Sequence, residues 1–143
     1  MRKHLLEIAV AAALIAAPAK AATVIVKGGW FRALPANLPS GGYFMIHNPG
    51  GDAVTISGAS SPACGMLMLH KTEDKGGTMD MMDMTSISVP PSGDVTFAPG
   101  GYHLMCMSPT PAMKPGGNVP VTLIFSDGSK VTTTFDVKNA KGQ

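Results

Sequence analysis

Short stretches in which apolar and polar residues alternate run along most of the chain, and they predict β-strands rather than helices. Clusters of Gly, Pro and Asn separate these stretches about every ten residues, which is typical of an antiparallel β-sandwich. The pattern predicts nine strands: Thr23–Arg32, Tyr43–His47, Val54–Ser57, Gly65–Lys71, Met79–Val89, Val95–Phe97, Tyr102–Met107, Val119–Phe125 and Val131–Val137.

Two features refine this prediction. Asp127-Gly128 lies between the last two predicted strands, and this dipeptide favours the tight turn of a β-hairpin. Leu34–Gly42, which is rich in Pro, Gly and Asn, is predicted to be a loop. The chain of 143 residues is then a single β domain with a short leader.

The leader resembles a secretory signal peptide. Arg2, Lys3 and His4 precede a short apolar stretch at residues 8–17, and Ala19-Lys20-Ala21 fits a cleavage site between small residues. We therefore expect residues 1–21 to be a signal peptide and residues 22–143 to be an exported, periplasmic domain. The apolar stretch is too short to span a membrane.

The charge of the mature domain excludes one large class of function. The full chain has a net charge of +2, but the leader carries three of the basic residues and one acidic residue. The mature domain is therefore neutral and has no cluster of Lys or Arg, so we expect no binding to nucleic acid. Ser/His/Asp arrangements, paired carboxylates and phosphate-binding loops are also not evident, so we expect no enzyme and no catalytic residues.

Methionine is the unusual component of this sequence. The chain has 11 methionines, and nine of them lie between Met66 and Met113. The same segment contains His70 and His103, each close to methionines. Thioether sulfur is a soft, uncharged ligand that favours Cu(I), and neutral imidazole also binds copper.

Strand geometry supports a shared site. Residues i and i+2 of a strand lie on one face, so His103 and Met105 share a face. For a single methionine, core packing is the usual role, and we expect it for Met66 and Met68. His47, beside a turn, is expected to be a surface or hydrogen-bonded residue.

The histidines and methionines also follow the H-x10-M-x21-H-x-M spacing, which resembles the signature of the periplasmic copper chaperone family called PCuAC. Three further segments resemble that family: Gly29–Ala33, Tyr43–Asn48 and Pro99–Met105, the last of which reads P-G-G-x-H-x-M. The resemblance extends from about Val24 to Val137.

The resemblance implies a cupredoxin-like, antiparallel Greek-key β-sandwich that binds one Cu(I) per chain. The ligands that it implies are His70, Met81, His103 and Met105; the residues alone do not separate Met81 from Met79, Met82 or Met84. It also implies a monomer that gives copper to an acceptor protein, either a copper-centre subunit of cytochrome c oxidase or a Sco-type thioredoxin-like chaperone. Two positions depart from the family: Met68 replaces its usual acidic residue, and Lys71, expected to face water, follows the first histidine.

Cys64 and Cys106 lie outside the motif. If the strands of His70 and His103 are antiparallel neighbours, the two cysteines come close to each other, and export favours a disulfide between them. Free buried thiols, or thiols that bind copper, are the alternatives.

Two other functions stay open. An electron-transfer cupredoxin needs a Cys thiolate with two histidines, but no histidine follows Cys106. A structural β-sandwich without metal is the remaining alternative.

Overall fold

Ten β-strands and one short 3-10 turn form residues 22–143, the part of the chain that this computed structural model describes. The predicted signal peptide, residues 1–21, lies outside the described residues. The elements in chain order are β1 (Ile25–Arg32), the 3-10 turn (Pro35–Asn37), β2 (Ser40–His47), β3 (Val54–Ser60), β4 (Cys64–Asp74), β5 (Met79–Asp83), β6 (Ile87–Val89), β7 (Asp94–Phe97), β8 (Tyr102–Pro109), β9 (Asn118–Phe125) and β10 (Lys130–Lys138).

Seven of the strands form a closed, barrel-like sheet. Neighbouring strands follow the order β4-β8-β2-β1-β10-β9-β3, and the pairing of Ala59 with Leu67 joins β3 back to β4. The strands β5, β6 and β7 attach to β4, β3 and β2 respectively. The predicted all-β fold is confirmed, with β1 and β10 as a parallel pair within the otherwise antiparallel sheet.

The segment Met79–Val89, predicted as one strand, is two strands. Its first half, β5, pairs with β4, whereas its second half, β6, pairs with β3. The backbone N–H of Met84 donates a hydrogen bond to the carbonyl of Leu69, and the chain then leaves β4. The predicted loop Leu34–Gly42 is also shorter than expected, because β2 already begins at Ser40.

The core of the barrel is built around phenylalanines. Phe44 stacks on Phe97 with ring centroids 4.2 Å apart, and Phe135 contacts both Phe31 and Phe44. Burying each such side chain contributes about 1.5–3 kcal/mol to folding. The apolar residues that alternate along the strands thus pack together in a single hydrophobic core.

The hairpin of β9 and β10 forms as predicted, with Lys130 paired to Ile124. Gly128 has a φ of 84°, in the left-handed region that glycine adopts without a steric penalty. The carboxylate of Asp127 accepts hydrogen bonds from the backbone N–H and the hydroxyl of Ser129, at 2.8 and 2.6 Å. These contacts fix the turn and therefore the register.

The strands β4 and β8 are antiparallel neighbours, the condition on which the expected disulfide depends, and His70 lies directly opposite His103. Leu67, Leu69 and Leu104, on the inner face of this pair, are buried in the core. Since side chains alternate along a strand, the intervening residues lie on the outer face. That face carries the two histidines together with methionines.

A disulfide joins Cys64, at the start of β4, to Cys106 in the middle of β8, and their Cα atoms are 5.3 Å apart. Cys106 is fully buried beside Leu67. The bond therefore links the two strands that carry the histidines.

Replacing both cysteines by alanine (C64A/C106A) is expected to lower the free energy of unfolding. The cysteines are 42 residues apart in the sequence. A loop of that length gives about 4 kcal/mol of stabilisation in the chain-entropy model. Urea denaturation of the native and double-variant proteins measures the difference. A loss below about 1 kcal/mol would show that the cross-link does not stabilise the fold.

Candidate metal centre

The outer face of β4 and β8 brings two predicted ligands into contact. His70 and His103 are directly opposite in the strand register, and their ring centroids lie 5.5 Å apart in an edge-to-face arrangement. Met105, two residues after His103, is opposite Met68 on the same face. Both imidazoles therefore come from rigid, hydrogen-bonded strands, which limits their movement.

The two ring nitrogens of His103 have different surroundings. Its side chain is buried, and Nδ1 lies 3.2 Å from the carbonyl oxygen of Gly101. A proton on Nδ1 satisfies this hydrogen bond and leaves a lone pair on Nε2. Nε2 is buried and has no hydrogen-bond partner among the described residues. A buried, unpartnered polar atom is costly unless a ligand engages it.

The pKa of His103 is lowered from its usual value. Burial is the main cause, because it disfavours the charged ring, and the neighbouring His70 acts in the same direction; the hydrogen bond to Gly101 opposes both. The ring is therefore held neutral, which is the protonation state that binds metal.

His70 contacts an acidic residue of the edge strand. Its Nε2 lies 2.7 Å from a carboxylate oxygen of Asp83, which is opposite His70 in the pairing of β4 with β5. The contact has the distance of an ion pair but not the alignment of a hydrogen bond, and Nδ1 has no hydrogen-bond partner among the described residues. The Asp83 side chain is 72% exposed.

Met81 completes the set of predicted ligands. It lies on edge strand β5 opposite Thr72 and is 62% exposed. Met81, His103 and Met105 line a common cavity of about 250 Å³. His70 does not line this cavity, but its ring contacts the ring of His103, which does.

The geometry also distinguishes Met81 from the other methionines of its segment. Met82 is opposite Lys71, which places it on the other face of β5. Met84 packs against the hydrophobic core. Met79 shares the face of Met81 but lies opposite Asp74, further from the histidines. Among these four, only Met81 lines the cavity.

Arg32 is a residue of the site whose position sequence reasoning did not predict. It lines the same cavity, and its guanidinium carbon lies 5.4 Å from the centroid of Trp30 and 5.7 Å from that of Tyr43. Its Nε atom is buried without a hydrogen-bond partner among residues 22–143. A guanidinium group therefore lines one side of the cavity. In the sequence, Arg32 appeared only as part of the segment Gly29–Ala33 that resembles the PCuAC family.

Three expectations about single residues have different outcomes. Met66, expected in the core, is 59% exposed, so that prediction was wrong; the alternation along β4 assigns the core to Leu67 instead. The Nδ1 atom of His47 contacts a carboxylate oxygen of Asp94 at 2.5 Å, as expected for a hydrogen-bonded residue. Lys71 lies with its Nζ atom 5.6 Å from the ring centroid of Tyr102 and is only partly exposed.

The described residues contain no group of three or more His, Cys, Asp and Glu side chains that could hold a metal. Within the same residues, no helix is long and apolar enough to cross a membrane.

The sequence matches the profile of the LpqE-like family, described as lipoproteins, over residues 24–137. Lxx21020, a protein of Leifsonia xyli subsp. xyli that is named as a lipoprotein, is 32% identical over 120 residues. The match covers 83% of this chain and 72% of that protein.

Solved structures of PCuAC domains share the fold. The copper-bound PCuAC domain from PmoF2 has a TM-score of 0.69 at 22% identity, and the match covers 83% of this chain and 95% of that one. Apo-DR1885 from Deinococcus radiodurans has a TM-score of 0.62 at 28% identity, covering 97% and 94% respectively. The Cu(I) form of DR1885 has a TM-score of 0.64 at 25% identity, covering 82% and 78%.

The lowered pKa of His103 has a measurable consequence. The imidazole NMR signals of His103 in the metal-free protein should titrate with a midpoint below about 6.5, the usual value for histidine. The unfolded chain then binds more protons than the folded one, so this residue makes the fold less stable as the pH falls below that value. A midpoint at or above about 6.5 would contradict the burial of a neutral ring.

Proposed function

This chain belongs to the LpqE-like family and has the fold of PCuAC domains, and on that premise we propose that it is an exported copper chaperone whose cargo is Cu(I). The observation that carries the proposal is the unpartnered Nε2 of His103, buried at a cavity that Met81 and Met105 also line. The name of the Cu(I) form of DR1885 states that this relative binds Cu(I).

The proposed ligands are His70, Met81, His103 and Met105, holding one Cu(I) per chain. Two neutral imidazoles and two thioethers suit a soft monovalent ion, because none of these ligands adds a negative charge and thioether favours Cu(I). The hydrogen bond from His103 to Gly101 fixes which nitrogen is available. For His70, Nδ1 has no hydrogen-bond partner among residues 22–143, and Nε2 would exchange its contact with Asp83 for the metal.

Copper transfer would proceed by ligand exchange. Met81 lies on an edge strand, and its side chain is 62% exposed, whereas His103 is buried. A donor from an acceptor protein can therefore replace Met81 first, while the more protected His103 still holds the ion. This order requires no change in the oxidation state of copper, so we propose a carrier and not an enzyme.

The proposed setting is the periplasm, with the chain acting as a monomer after residues 1–21 are removed. The acceptor would be a copper-centre subunit of cytochrome c oxidase or a Sco-type thioredoxin-like protein. This assignment rests on the resemblance to PCuAC proteins. The lipoprotein names of the family and of the Leifsonia protein also support export.

The disulfide weighs against an electron-transfer cupredoxin. Such a centre needs a cysteine thiolate, but Cys106 is bonded to Cys64, and the described residues contain no free cysteine. Cys106 also lies on the core side of β8, away from His103. A metal-free structural module is the other alternative, and copper binding separates it from a chaperone.

Replacing His103 by alanine is expected to weaken Cu(I) binding at the proposed site by at least about tenfold, equal to about 1.4 kcal/mol or more. Met105→Leu should act in the same direction, because leucine keeps the volume but removes the sulfur. Anaerobic titration with Cu(I), in competition with a chromogenic chelator, measures both effects. A thiol-free protocol keeps the disulfide intact.

Met45→Leu is the matched control, since Met45 is an exposed methionine of β2 that does not line the cavity. It should leave the affinity unchanged. An unchanged affinity for both His103→Ala and Met105→Leu would overturn the proposed ligands. A native protein that retains no Cu(I) would favour the structural module.

A further inference from the structure

Methionines continue along the outer face of β4 and β8 beyond the proposed ligands. After the pair of histidines, the next pair on the outer face is Met68 opposite Met105, and the pair after that is Met66 opposite Met107. All four methionines lie on the same face, because the two on each strand are positions i and i+2 and each is paired with a methionine of the other strand. Thioether groups therefore extend from the histidines towards the Cys64 end of β4.

Core packing does not explain these methionines. The core at this position is filled by the alternate residues of the two strands, Leu67 and Cys106, which are buried. Met66 is 59% exposed, and Met68 and Met107 are partly exposed. Methionine usually fills irregular gaps in a core, and an exposed cluster has no such gap to fill.

We propose that Met66, Met68 and Met107 form a second binding site for Cu(I), made only of thioether sulfur. Directly opposite strand residues have Cβ atoms about 4.5–5.5 Å apart, and diagonal neighbours are about 7–8 Å apart. Three rotatable bonds let each methionine direct its sulfur to a common point between the strands. Three uncharged soft ligands favour Cu(I) over Zn²⁺, Mg²⁺ or Ca²⁺.

This site differs from the proposed chaperone site in its ligands. It uses no imidazole, and Met105 stays with His103. Of the three methionines, Met68 lies closest to the proposed chaperone site, because it is directly opposite Met105. A Cu(I) ion bound by Met66, Met68 and Met107, here called the thioether cluster, would therefore lie next to Met105 of the proposed chaperone site. From there the thioether cluster would supply Cu(I) to the chaperone site.

The test is an anaerobic Cu(I) titration of the full chain with its disulfide intact and no thiol reductant, because free Cys64 and Cys106 would also bind Cu(I). The native protein should bind two equivalents. The M66L/M68L/M107L variant should lose one equivalent and keep the other. The control variant M45L/M82L, in which both methionines are exposed on other surfaces, should keep two.

A second variant separates this inference from the proposed function. H103A/M105L should lose the equivalent of the chaperone site and keep that of the thioether cluster. If the native protein binds one equivalent that only H103A/M105L loses, the chaperone site stands and the thioether site is refuted. If the single equivalent is lost only in M66L/M68L/M107L, the thioether site stands and the chaperone ligands are refuted.

Methyl NMR of the native protein avoids any doubt about the folding of the variants. Ag(I), a redox-inert probe that also prefers soft ligands, should shift the ε-methyl signals of Met66, Met68 and Met107 together. The signal of Met45 should stay in place. Unchanged signals of the three methionines with excess Ag(I) would overturn the proposal.

Discussion

The antiparallel pairing of β4 with β8 sets the positions of the two histidines, the core leucines and the disulfide. One register places His70 opposite His103 and Met68 opposite Met105, while it directs the leucines of the same strands into the core. A shift by one residue would reverse the two faces, placing the histidines in the core and the leucines in solvent. Burial of the inner face therefore also determines which residues lie on the outer face, where the proposed copper ligands are.

Three further features position the proposed ligands. The disulfide between Cys64 and Cys106 holds the two strands together near one end. The carbonyl of Gly101 orients His103, and the edge strand β5 brings Met81 to the cavity. Of the proposed ligands, His103 is buried on an inner strand of the sheet and Met81 is exposed on its edge strand. This difference in exposure suits the proposed carrier, because it must hold an ion and also release it.

Much of this arrangement could be predicted from the sequence. Alternation identified most strands, Asp127-Gly128 identified the hairpin, and export favoured the disulfide between Cys64 and Cys106. Other features depend on long-range pairing, which local patterns do not encode: the parallel contact of β1 with β10, and the division of Met79–Val89 between two strands. The exposure of Met66 was missed because a lone methionine in a strand is usually part of the core.

In the proposed site, two imidazoles and two thioethers share one Cu(I). X-ray absorption spectroscopy of the protein loaded with one equivalent of Cu(I), with its disulfide intact, reports on these ligands. We expect sulfur scatterers together with the multiple-scattering pattern of two imidazole rings. The imidazole contribution should be weakened in His103→Ala. A first shell made of sulfur alone, or a spectrum unchanged by His103→Ala, would rule out the proposed pair of histidine ligands.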